Sequence, residues 1–224
     1  NNVIKKILVP IDFSEISSTV FSKTTTLAKL LKADLLLIHV VPHTGYGFSI
    51  VPEKRNDLMN IQEIQMAVSQ KMDELQAEIK NQYHITPEVY VSTGNIDAEI
   101  IDFAKNKKID LIIMGTHGAS GYKELFIGSN SQRVVTLSDI PVLTMQHDTK
   151  GLGFENILLP IDNSVHSREK VNLATSIAKQ FGAKIHILGL NDSSDQTEIN
   201  KFNYKIKSVE ENICLLYTSP SPRD

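Results

Sequence analysis

The sequence predicts an α/β chain: a doubly wound, five-stranded parallel sheet followed by an incomplete second copy of its opening half. Three observations predict it. Short β-rich apolar runs alternate with longer helix-patterned stretches, as βαβ units require. Runs such as Leu35-Leu36-Leu37-Ile38 are apolar at every position, which suits parallel strands covered by helices on both faces. The third is a repeat. Ile7-Leu8-Val9-Pro10-Ile11-Asp12 returns as Ile157-Leu158-Leu159-Pro160-Ile161-Asp162, Ser14 and Ser17 return as Ser164 and Ser167, and Leu27-Ala28-Lys29 aligns with Ile177-Ala178-Lys179. One constant offset held over about thirty residues marks an internal duplication.

In the first copy the strands are expected at Lys6 to Ile11, Asp34 to Val41, Glu88 to Ser92, Asp110 to Met114 and Pro141 to Met145. Helices follow Ser14, Asn95 and Gly128; Ser14 and Asn95 are N-cap residues whose side-chain oxygens can meet first-turn amides. Between the second and third strands, Leu58, Ile61, Ile64, Val68, Met72, Leu75 and Ile79 recur at the spacing of one buried helical stripe. The second copy holds a strand, a helix and a strand from Asn156 to Leu190, then a helix-like segment ending near Ile213, too little to close a five-stranded sheet. The expected organisation is a first domain over 1–147, a polar linker over 148–153, a truncated second copy over 154–213 and a non-native tail over 214–224. The tail, CLLYTSPSPRD, breaks from a charged helical pattern into a Ser/Pro run that looks like translated adapter sequence.

Composition narrows the function. With 41% hydrophobic and 22% charged residues among 224, the chain is in the ordinary globular range. No apolar run approaches the roughly 18 to 20 residues that span a bilayer. Lys and Arg number 23 against 26 Asp and Glu, a formal charge of -3, so no uniform field attracts phosphate backbones. Neither a nucleic acid nor a membrane is an expected partner. The lone Cys214 excludes an internal disulfide, no basic and apolar leader opens the sequence, and a cytoplasmic location is expected.

Doubly wound sheets bind ligands outside the carboxyl ends of their strands, and three features fall there. Gly115-Thr116-His117-Gly118 follows the fourth strand, and Gly128-Ser129 opens the next helix. Glycines let the main chain approach an anion, and the free amides of a helix start hold phosphate oxygens; a plain structural loop uses glycine as readily. The Ser129 hydroxyl adds a donor, and Asn130 and Ser131 extend the polar first turn. Pro10-Ile11-Asp12 ends the first strand. The Asp12 carboxylate reads equally as an acceptor for ribose hydroxyls or a phosphate-bound divalent ion and as a cap of the following helix. His39-Val40 ends the second strand, where main-chain groups could read an adenine edge. No second His or carboxylate stands at ligand spacing to His39, so it reads as a packed histidine. Glu124, within the loop, reads as a solvated charge.

Taken together, ILVPIDFS, the IHVV strand end and the glycine pattern resemble the universal stress protein family over essentially the whole first copy. The second copy resembles the start of another domain, as in a tandem member. The resemblance implies the adenine nucleotide alpha hydrolase-like fold and, for the ATP-binding branch, a nucleotide held with Mg or Mn. It implies ribose at Asp12 and Gly115, adenine at Val40, and phosphates at Gly118, Gly128 and Ser129, with Pro10, Ile11, Met114, Asn130 and Ser131 beside them; Asp12 would share the metal. It implies a nucleotide-dependent stress-response regulator, which pairs with itself or a second such domain through its last strand. A non-binding dimerisation adaptor and a slow ATP hydrolase are the alternatives. No G-x-x-x-x-G-K-[ST] loop or H-x-G-H signature is present, and no general base is visible, so at most weak hydrolysis is expected. In the second copy Asn163 replaces Phe13, and Gly189-Leu190 replaces His39-Val40.

Overall fold

The computed structural model describes residues 4–42, 61–116, 129–145, 154–164 and 167–218. It divides into two compact units, Ile4–Leu152 and Gly153 onward. The first contains β1 (Lys6–Pro10), α1 (Glu15–Leu31), β2 (Asp34–Pro42), α2 (Ile61–Tyr83), β3 (Glu88–Gly94), α3 (Ile96–Asn106), β4 (Leu111–Gly115), α4 (Ser129–Leu137) and β5 (Val142–Met145). All five strands are parallel, in the order β3-β2-β1-β4-β5. The expected strands are present, with ends moved by a residue or two.

Parallel strands send alternate side chains to opposite faces, and both faces here are apolar. Leu8, Leu36, Ile38 and Val40 lie on the face covered by α3 and α4, packed with Ile100, Ile101, Ala104, Ile112, Met114 and Val134. The opposite residues, Ile7 and Leu37, are fully buried, and α1 and α2 pack against the strands there. Val68, Met72 and Ile79 confirm the buried stripe of α2; Leu58 lies outside the described residues.

The caps need a correction. Ser14 and Asn95 do occupy the N-cap positions of α1 and α3 in extended conformations, but neither side chain makes a capping hydrogen bond. The Ser14 hydroxyl donates instead to Asp12 Oδ1, at 2.6 Å. A short hydroxyl takes the nearest strong acceptor, and the ionised carboxylate two residues back outcompetes solvation of a helix amide.

The second unit contains β6 (Asn156–Ile161), α5 (Ser167–Phe181), β7 (Lys184–Gly189) and α6 (Gln196–Thr218). Its parallel register begins Asn156↔Lys184, the first unit's Lys6↔Asp34 displaced by the repeat offset. The turn between helix and strand repeats too: Gly182 has φ +64°, and Lys32, its counterpart, has φ +50°. Glycine holds that left-handed conformation at no steric cost, whereas the lysine is strained by its Cβ. α6 is longer than expected. It starts where Asp195 Oδ1 accepts the Thr197 and Glu198 amides and continues past Ile213 to Thr218. Leu215 and Leu216 are good helix formers, and the helix stops only as the chain approaches Pro220. No helix among the described residues is long and apolar enough to cross a membrane.

Candidate functional site

The strand order places a switch point at β1. The chain leaves β1 toward β2 on one side and later returns to β4 on the other, which opens a crevice beyond the carboxyl ends of β1 and β4. The two strands pair through Ile7↔Leu111 and Leu8↔Ile112 and then part. One lip therefore carries Pro10, Ile11 and Asp12, and the other carries Met114, Gly115 and Thr116. On the first lip's far side β2 outruns β1: the last shared rung is Pro10↔Ile38, and β2 continues to Pro42 against β3 alone.

Asp12 is exposed, and its Oδ1 accepts both the Ser14 amide at 3.0 Å and the Ser14 hydroxyl. This two-residue bridge is an Asx turn. It carries Phe13 between its ends at φ +58°, an uncommon conformation for an aromatic residue. Ile11, Val40 and Met114 are buried, so only their main-chain groups can meet a ligand; Pro10 and Gly115 are half-buried. Ser131, also buried, donates its hydroxyl to the Gly115 carbonyl at 2.8 Å, which pins the first turn of α4 to the end of β4. Ser129 and Asn130 stand exposed at the start of α4. Thr116 is buried, and its amide donates to the Met145 carbonyl at 2.9 Å. His117, Gly118, Glu124 and Gly128 lie outside the described residues.

A second clasp holds α4. Arg133 Nε donates to Asp97 Oδ2 at 2.9 Å; the Asp97 side chain is 5% exposed and that of Arg133 is 59% exposed. Asp97 lies in the first turn of α3, where a carboxylate is favoured by the unpaired amides and the dipole's positive end. Reading the sequence missed this pair and the pinning role of Ser131. The acidic residue after Asn95 was the sole signal, and nothing in the chain's periodicity links it to an arginine on α4.

His39 is buried, with Nδ1 2.7 Å from the Ile11 carbonyl. A carbonyl only accepts, so Nδ1 carries the hydrogen and Nε2 is left as a buried lone pair with no partner among the described residues. The Phe13 ring lies 5.0 Å from the imidazole between centroids. Burial lowers the pKa of His39 from 6.5; its bond to Ile11 and the charge of Asp12 oppose that shift. His39 is thus a packed histidine. Among the described residues no three His, Cys, Asp or Glu side chains gather to hold a metal, so an ion at Asp12 would draw most of its ligands from a bound anion.

The second unit repeats the Asx turn, Asp162 Oδ1 accepting the Ser164 amide at 3.0 Å and its hydroxyl at 2.6 Å. There a lysine closes the turn: Lys205 Nζ donates to the carbonyls of Asp162, at 2.7 Å, and Ser164, at 3.3 Å.

The model of the universal stress protein family matches residues 4–146, more than half of the chain. The chain belongs to the universal stress protein family. Universal stress protein YxiE of Bacillus subtilis is 33% identical over 150 residues, 63% of this chain and 98% of that protein. Universal stress protein MJ0577 of Methanocaldococcus jannaschii is 28% identical over 156 residues, 63% of this chain and 94% of the relative. Among solved structures, a universal stress protein from Archaeoglobus fulgidus matches 94% of this chain and 76% of its own at TM-score 0.66 and 23% identity. The protein UspA from Lactobacillus plantarum matches 63% of this chain and 97% of its own at TM-score 0.51 and 21% identity. These two likenesses are of fold: the α/β architecture with its five-stranded parallel sheet is that of universal stress proteins, the adenine nucleotide alpha hydrolase-like fold.

Proposed function

We propose that this universal stress protein binds ATP in the β1/β4 crevice and acts as a nucleotide-dependent stress-response regulator. One observation carries the reading: the crevice at the switch point has the Asp12 turn on one lip and, on the other, Gly115 tied to the start of α4 by Ser131. Asp12 and Gly115 would hold ribose, Val40 the adenine edge, and Gly118, Gly128, Ser129 and Asn130 the phosphates, with Mg or Mn between the phosphates and Asp12. Ser131 already donates its hydrogen to Gly115, so it would meet a phosphate only through its amide. The second unit would be the opening part of another such domain. Self-association through β5 belongs to the same reading, since Val142 to Met145 pair with β4 and all four are half-buried; light scattering with Leu143→Lys should show association weakened by the charge.

The test is calorimetry with ATP and Mg on the whole protein and on Gly128→Val, whose branched side chain would crowd the phosphates. Binding by the wild type and its loss in the folded variant are expected; equal affinity in both would remove the phosphate assignment. Mass spectrometry of ligand extracted from purified protein separates the alternatives, with ATP pointing to a regulator, ADP or AMP to turnover, and an empty protein to an adaptor.

A further inference from the structure

The two copies differ at one rung of their strand ladders. From this difference we infer that His39 is a positioning residue that holds the Val40 amide open toward the crevice, so that Val40 selects adenine over bases with the reverse hydrogen-bonding edge. The inference rests on the nucleotide reading above.

In a parallel ladder the N–H and C=O of one residue point to the same side, and successive residues serve opposite neighbours. Asp34 N–H donates to the Lys5 carbonyl at 2.7 Å, and Ile11 N–H to the Ile38 carbonyl at 2.8 Å. Asp34, Leu36, Ile38 and Val40 therefore turn their polar groups toward β1. The next rung would run from Val40 N–H to the Ile11 carbonyl. The second unit makes that rung, Leu190 N–H to the Ile161 carbonyl at 2.8 Å. The first unit does not, among the described residues; the Ile11 carbonyl accepts from the His39 ring instead. Gly189, the counterpart of His39, has no side chain to compete, and a Cβ there would come within 3.0 Å of the Phe202 ring. Phe13, whose amide would meet the Val40 carbonyl on the following rung, turns into the left-handed region and leaves the ladder.

Val40 thus presents a donor and an acceptor side by side beyond the end of β1. Adenine offers the matching edge, an accepting N1 beside a donating N6 amino group, while hypoxanthine offers a donating N1 beside an accepting O6. The Leu190 amide is already spent, so the second unit lacks this reader.

Two measurements on the whole protein test the inference. His39→Phe keeps a ring against Phe13 but deletes the donor; His39→Gly copies the second unit. In either, Val40 N–H should close on Ile11. Without ligand, the Val40 amide should exchange hydrogen more slowly in the variants than in the wild type. ATP affinity should fall roughly tenfold, and the preference for ATP over inosine triphosphate should collapse toward unity. Equal Val40 exchange in wild type and His39→Phe would overturn the inference, as would an ATP preference in the variants unchanged from that of a wild type that binds ATP. A wild type that binds neither nucleotide would overturn the nucleotide reading and the selectivity with it, while the exchange rates would still decide what His39 does to the amide.

Discussion

The chain carries one strand pair twice, and the two pairs differ in what covers them. On β1 and β2, Leu8, Ile38 and Val40 are 0%, 0% and 7% exposed; their counterparts Leu158 on β6, Leu188 on β7 and Leu190 just beyond it are 63%, 44% and 52% exposed. The opposite face of the second pair is closed in the usual way, with Leu159 and Ile161 packed against Val171 and Ala174 of α5 and Val209 and Ile213 of α6. An apolar pattern therefore marks a residue's capacity to be buried, and burial itself requires a second element. In the first unit α3 and α4 supply it.

The sharpest way to break this comparison is to place a charge at matched positions. Leu8→Lys puts an unpaired ammonium in a closed core and should unfold the first unit, whereas Leu158→Lys should change stability by no more than about 0.5 kcal/mol. Circular dichroism and hydrogen exchange on both variants check it; equal damage would mean that Leu158 is covered in solution.

A smaller effect should come from the clasp that fixes α4. Arg133→Ala strands a buried carboxylate and should cost about 3 kcal/mol, while Asp97→Ala leaves a half-exposed guanidinium that water can solvate and should cost about 1 kcal/mol. Denaturant melts of the first unit should rank the variants in that order, and the reverse ranking would mean that the carboxylate is solvated.

The smallest expected effect is the pH dependence that His39 adds to the first unit, a contribution without a counterpart in the other, where Gly189 takes its place. The folded-state pKa of His39 lies below 6.5, so between the two values the unfolded chain binds a proton that the folded one refuses. Its contribution is whole above pH 6.5 and is lost as pH falls through the folded-state value. Melting at pH 7.5 and 5.5 should show a larger acid loss in the wild type than in His39→Leu; the same loss in both would mean that His39 does not titrate on unfolding.

The sequence alone determined the strands of both units, the stripe of α2 and the offset that relates the copies, because these depend on residue type at short, regular spacing. It also determined which segments could form the crevice, since strand ends in a doubly wound sheet are fixed by topology. It did not determine the left-handed Phe13, the Ser131 and Arg133 anchors of α4, the missing rung at Val40, or the open face of the second pair. Asp97 and Arg133 are 36 residues apart. The His39 bond to Ile11 depends on two strands meeting in register with one of them ending early. Leu8 and Leu158 are the same residue in the same local pattern, and only the elements packed upon them make one core and the other surface. Such features belong to pairs of segments brought together in space, where the loss of water and the geometry of a specific acceptor decide the outcome, and no local pattern encodes either.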